Sequence, residues 1–148
     1  MKSLSNSPDA PLDYEFVSEK YDFAISFPAK PDSIANSSKG IAYRRGSGDV
    51  SYSVGTLSDT TNLTEKVIIE GNLKMPDITM FGGGTSYITI DGVDGQLFHI
   101  RLKEEDTTIA SVIRNGIGYV IQVKCFGASK SEEKFDNFMK SFRFLGEA

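Results

Sequence analysis

Asn115-Gly116 separates two apolar-rich runs, Thr107–Arg114 and Ile117–Phe126. In that setting the dipeptide is the strongest short-range sign of a β-hairpin. A type I′ turn needs positive φ at both central residues, and Asn followed by Gly tolerates this best. Two further runs, Thr85–Ile90 and Gly95–Lys103, come before it. Residues 84–126 therefore read as an antiparallel meander at the centre of the fold. The meander is architecture, and no chemical motif lies on it.

The flanking segments extend the pattern. Tyr14 and Phe16 share one strand face, and Tyr21, Phe23, Ile25 and Phe27 alternate with smaller or polar residues at a strict period of two. Pro28 and Pro31 end that strand, since proline cannot continue a ladder. Residues 32–39 are polar and read as a loop. Gly40–Arg45 and Asp49–Leu57 form a hairpin turned by Gly46-Ser47-Gly48, with Val50, Tyr52 and Val54 inward. The period then changes. Residues 62–74 read as a helix with Asn62 at its N-cap, Glu65 three residues later, and Leu63, Val67, Ile69 and Leu73 on its apolar side. Gly71 weakens this helix and Pro76 stops it. Residues 75–84 form a loop ending in three glycines. A second helix starts from Ser129 with Glu132 as its capping partner, and carries Phe135, Phe138, Met139 and Phe142 as an apolar stripe. Phe142–Leu145 closes the chain as a short strand or extended tail.

A chain of 148 residues is one domain by size. It can bury roughly 70% of its unfolded surface, so it needs no disulfide or metal to fold. Residues 1–12, rich in Ser, Pro, Asp and Asn, read as a flexible arm, and residues 13–148 as the domain. The expected core contains Phe23, Ile25, Phe27, Tyr52, Val54, Ile88, Ile90, Phe98, Ile100, Tyr119, Ile121, Phe135, Phe138 and Met139. Twenty acids against sixteen bases leave a net charge of −4, and the bases are scattered. That balance excludes a nucleic-acid binder, which needs a clustered basic face. Arg44-Arg45, the only adjacent basic pair, reads as a solvated strand end. Cys125 is the only cysteine, so no internal disulfide can form. No apolar run approaches the ~20 residues of a membrane span. No apolar stretch follows Met1-Lys2 either; the expectation is a cytoplasmic chain or, equally, a trimmed form whose first residues are a flexible tether to a removed targeting segment.

Few residues suggest chemistry. His99 is the only histidine; Phe98, Ile100 and Leu102 share one strand face, and His99 lies on the other with Arg101 and Lys103. A catalytic base needs a positioned partner, and the flanking cations do not provide one, so His99 reads as a surface residue. Cys125 shares parity with Tyr119, Ile121 and Val123 and reads as a small core residue. Gly82-Gly83-Gly84 follows a helix and precedes a strand, the reverse of a phosphate loop. Glu104-Glu105-Asp106 clusters three carboxylates at a hairpin tip. Hard cations want several oxygens, but a solvated turn is the preferred reading of the cluster. Asp91–Gly95 lacks the alternating acids of a calcium loop and reads as a tight turn. Asn36-Ser37-Ser38 and Asn62-Leu63-Thr64 fit the glycosylation pattern, which a chain this rich in Ser, Thr and Asn produces by chance.

Three segments together resemble the PsbP-like superfamily, which also contains Mog-type proteins and bacterial members of unknown function. They are Tyr21–Pro28, with its aromatic–small–apolar–Ser–Phe–Pro order, the turn Ile90–Gly95, and the last helix followed by Ser141–Phe144. The resemblance implies an α+β fold: an α/β/α sandwich with a central antiparallel sheet of about seven strands. It carries over no catalytic residue and no cofactor. Many bacterial members are exported or lipid-anchored, which favours an envelope location over a cytoplasmic one, with any lipid anchor outside this chain.

The expected function is a non-enzymatic binding or scaffold domain that docks another protein. Met75, Ile78, Met80 and Phe81 are the expected contact residues, because apolar side chains in a glycine-rich loop have few internal partners. Alternatively, these side chains fold back as a lid over a sheet edge. A different reading is a small-ligand or metal-ion binder using loop 75–84 and Glu104, Glu105 and Asp106.

Overall fold

The computed structural model describes residues 11–37, 40–58, 85–101, 104–127 and 130–146. Among these residues, ten strands form two antiparallel sheets with one helix. The small sheet joins β1 (Tyr14–Ser18), β2 (Phe23–Phe27) and β10 (Arg143–Phe144) in the order β1-β2-β10. The large sheet contains β3 (Asp32–Ser37), β4 (Gly40–Ser47), β5 (Val50–Leu57), β6 (Thr85–Ile90), β7 (Val93–Arg101), β8 (Glu105–Arg114) and β9 (Ile117–Phe126). Its spatial order is β3-β4-β5-β9-β8-β7-β6. Two meanders, β3–β5 and β6–β9, thus meet where β5 pairs with β9, from Val50 opposite Cys125 to Leu57 opposite Gly118.

The turns follow from local chemistry. Asn115 and Gly116 have φ of +53° and +79°, and Asp91 and Gly92 have +45° and +84°, so both hairpins close on left-handed pairs. The β4–β5 hairpin closes one step later than its glycines suggested. Ser47 pairs with Val50, and Gly48 at φ +62° opens a two-residue turn with Asp49. Gly95 has a different role. A Cβ there would lie 2.2 Å from the Ser111 carbonyl oxygen and 2.3 Å from Val112 Cγ1, so only hydrogen fits between β7 and β8.

Helix α1 (Ser131–Lys140) lies on one face of the large sheet. Its Phe135 and Phe138 join a core built from Val50, Tyr52 and Val54 of β5, Tyr119, Ile121, Val123 and Cys125 of β9, and Phe23, Ile25 and Phe27 of the small sheet. Phe138 meets the rings of Phe27 at 5.3 Å and Tyr52 at 5.0 Å. Ile88 and Met139, expected in the core, pack against it half-buried. Phe98, Ile100 and Ile109 are buried as well, but on the opposite face of the sheet.

At one end of the core, Arg114 ties the small sheet down. Its guanidinium donates to Asp22 Oδ2 at 2.9 Å and to the Gly146 carbonyl, and sits 4.3 Å over the Phe144 ring. Tyr119 donates to the Tyr21 carbonyl at 2.6 Å; burial pushes its hydroxyl above the ordinary tyrosine value. Asp91 accepts the Phe144 N–H at 2.8 Å.

Several expectations are corrected. The central antiparallel sheet has the expected seven strands, but the described residues add a three-stranded sheet and one helix, so the fold is richer in sheet than an α/β/α sandwich. Residues 32–37 are not a loop but the edge strand β3, paired with β4 through main-chain groups while Asp32, Ser33 and Ile34 stay exposed. Strand β2 starts at Phe23 rather than Tyr21, because Asp22 turns the chain at φ +62°. Helix α1 starts at Ser131, which puts Glu132 one position nearer its start than a capping box requires. The expected helix 62–74, the residue Ser129 and most of the expected arm lie outside the described residues; Leu12 packs against the core.

Candidate functional site

Two arrangements gather polar side chains. The first lies where α1 meets β7 and β8. Register places His99 opposite Thr108 and Arg101 opposite Asp106, all on the helix side of the sheet. His99 Nε2 lies 2.9 Å from Asp106 Oδ1, and the Ser131 hydroxyl donates to Asp106 Oδ2 at 2.9 Å. The Ser131 main-chain N–H also points at Oδ2, and Thr108 Oγ1 is 2.7 Å from Ser131 Oγ. Arg101 Nη1 stands 3.7 Å from Asp106, and Glu132 Oε1 stands 3.8 Å from His99 Nδ1. Asp106 is only 1% exposed. Burial alone would raise its pKa, but the Ser131 N–H and hydroxyl and the neighbouring His99 outweigh it and hold the carboxyl below the usual value.

The order of these groups decides their chemistry. A nucleophilic serine needs a base on its hydroxyl, with a third group orienting that base. Here the carboxylate stands in the middle: Ser131 bonds to Asp106 and Thr108, and His99 bonds to the far side of Asp106. The cluster ties a helix start to a sheet. His99 thus has a positioned carboxylate partner, contrary to the sequence expectation; the partner sits across the strand pair, where sequence adjacency does not show it.

The second arrangement is a groove of about 530 Å³ on the opposite face of the large sheet. Strand β5 turns Ser51, Ser53 and Gly55 to this side, and their small side chains leave room between longer neighbours. Lys124 and Gln122 of β9 flank them on one side, and Arg44 of β4 on the other. Glu105, Phe126 and Ile34 complete the rim. Lys124 is 3.8 Å from Glu105. Arg44 makes no ion pair among the described residues.

The acidic tip does not act as one unit. Glu105 and Asp106 are consecutive strand residues and face opposite sides of the sheet, Glu105 toward Lys124 and Asp106 toward α1. Glu104 is exposed. Among the described residues, no group of three His, Cys, Asp or Glu side chains is placed to hold a metal ion. Met75, Ile78, Met80 and Phe81 lie outside the described residues. Cys125 is buried on the helix side. Sequence reasoning passed over the groove. Its signal was the outward parity of Ser51 and Ser53 beside Arg44, which register alone connects to Lys124.

The fold is PsbP-like, and comparison with solved structures shows this directly. Cyanobacterial PsbP (CyanoP) from Synechocystis sp., known from a solution structure, matches with a TM-score of 0.54 at 15% identity, over 96% of this chain and 97% of that one. A protein from Bacteroides thetaiotaomicron, known from a crystal structure, matches with a TM-score of 0.56 at 8% identity. That match covers 93% of this chain and 50% of the other, so this chain spans about half the length of the Bacteroides protein. At such identities the likeness concerns the fold alone. No family model matches the chain, and no curated protein does.

Proposed function

We propose that this chain is a non-enzymatic binding domain that docks another protein through the groove on the large sheet. The observation that carries this reading is the groove itself. Ile34 (49% exposed) and Phe126 (42% exposed) border it beside the cations Arg44 and Lys124. Exposed apolar groups next to charge are the ingredients of an interface with an apolar anchor and a polar rim. The Ser131–Asp106–His99 cluster supports the non-enzymatic part, since the serine hydroxyl meets a buried carboxylate that already caps a helix, and His99 stands on the far side of that carboxylate. An envelope location belongs to the same proposal; its support is the resemblance in fold and the family's exported members. Among the described residues, no helix is long and apolar enough to cross a membrane.

A photo-crosslinking side chain at Gln122 tests this in the protein's own cells, with Tyr87, 84% exposed on edge strand β6, as the control position. The expected result is a discrete adduct from position 122, lost in Arg44→Glu, and none from position 87. Failure to form an adduct from position 122 overturns the groove as the docking surface. A second reading, a small-ligand binder, draws support from volume: about 530 Å³ falls within the range of roughly 300–1,000 Å³ for small-molecule sites. A thermal-shift screen with metabolites checks it.

A further inference from the structure

We infer that the groove takes an acidic peptide segment, with carboxylates at Arg44 and Lys124 and apolar side chains against Ile34 and Phe126; this rests on the docking reading above. Arg44 pairs across the ladder with Ser53, and Lys124 with Ser51. The two cations therefore stand on either side of β5 with two hydroxyls between them. Lys124 is only 13% exposed, yet Glu105, the carboxylate paired with it among the described residues, is 3.8 Å away, too long for a hydrogen bond. An ammonium has three donors and a guanidinium five, set in a fork that fits a carboxylate. Among the described residues lining the groove, Glu105 is the only acid, against two bases. Locally the groove is positive in a chain whose net charge is −4. A basic segment would meet like charge there, which costs affinity and slows association.

The mode of contact follows from the ladders. Strands β5 and β9 form the floor, and each is paired on both sides, β5 with β4 and β9, β9 with β5 and β8. Their main-chain groups are already used, so the occupant cannot add as another strand to this floor. It must lie on the face and be recognised by side chains.

The test uses the ¹⁵N-labelled chain and two capped synthetic peptides, one alternating Glu and Leu and the other Lys and Leu. The Glu–Leu peptide is expected to shift the amides of Ser51, Ser53, Gln122 and Lys124, and the Lys–Leu peptide to leave them in place. Arg44→Glu, at an exposed position, should weaken the acidic peptide at least tenfold, while Glu105→Gln should tighten it. Raising the salt concentration should weaken it too. Equal shifts with both peptides, or shifts confined to other residues, overturn the acidic occupant. Groove shifts with the Lys–Leu peptide alone overturn it while leaving the docking reading standing. No shift with either peptide alongside an intact adduct from position 122 does the same, and loss of both signals removes both readings.

Discussion

Asp106 on β8 caps a helix that begins 25 residues later, accepting from both the hydroxyl and the main-chain N–H of Ser131. Lys130, at the N-cap position, makes no side-chain bond to the helix. The first turn of a helix leaves N–H groups without internal partners. Here the sheet supplies one acceptor, and its negative charge also suits the positive end of the helix. One carboxylate thereby fixes where α1 starts and how it sits on β8.

Replacing Asp106 by Asn should destabilise the fold by about 1–3 kcal/mol, the range for a lost cap and a weakened buried hydrogen bond. The pH dependence has a definite sign. The folded pKa of Asp106 is depressed, so its contribution is complete above the unfolded value of about 3.9 and is lost as pH falls through the lower folded value. Urea titrations from pH 7 down to pH 2 should show wild type and Asp106→Asn converging at the acid end. A constant gap across that range would contradict the assignment.

Arg114 is buried, while its partner Asp22 is 40% exposed and can be rehydrated. Arg114→Met should therefore cost about 1–3 kcal/mol rather than the larger loss of a fully buried pair. A double-mutant cycle with Asp22→Asn measures the pair itself. Exchange of the Leu145 amide, which donates to the Asp22 carbonyl at 3.0 Å, should accelerate in either variant.

Phe138→Ala removes a ring held between Phe27 and Tyr52. The expected loss is about 3–5 kcal/mol, as for other buried aromatics. A loss below about 1 kcal/mol in a denaturant titration would mean that α1 does not pack through this residue.

Cys125 is fully buried opposite Val50 and Asp106 on the paired strands. A thiol reagent should label native protein slowly and urea-denatured protein quickly. Rapid native labelling would contradict the packing of α1 against β9.

The loop expectation has its own check. Met80 and Phe81 changed together to Ser should leave the melting temperature nearly unchanged if they form a contact surface, while reducing capture of the partner cross-linked from position 122. A fall of many degrees, with capture lost only in proportion to unfolding, rejects them as contact residues.

What the sequence determined by itself was local. Asn115-Gly116 and Asp91-Gly92 favour left-handed turns between strand-like runs, and Tyr21–Phe27 and Asp49–Leu57 alternate because one face is buried. Phe135 and Phe138 mark the inner side of α1 through the 3.6 period alone. Tertiary structure decided the rest, for one physical reason: strand pairing joins residues whose separation no local pattern encodes. In strand β3 Asp32, Ser33, Ile34 and Asn36 are all exposed, and its main-chain bonds to β4 make it a strand. Asp106 reads as a solvated acid until register sets it beside His99 and beneath Ser131. Arg44 and Lys124 come from different hairpins, and they border one groove only because β5 and β9 pair between them.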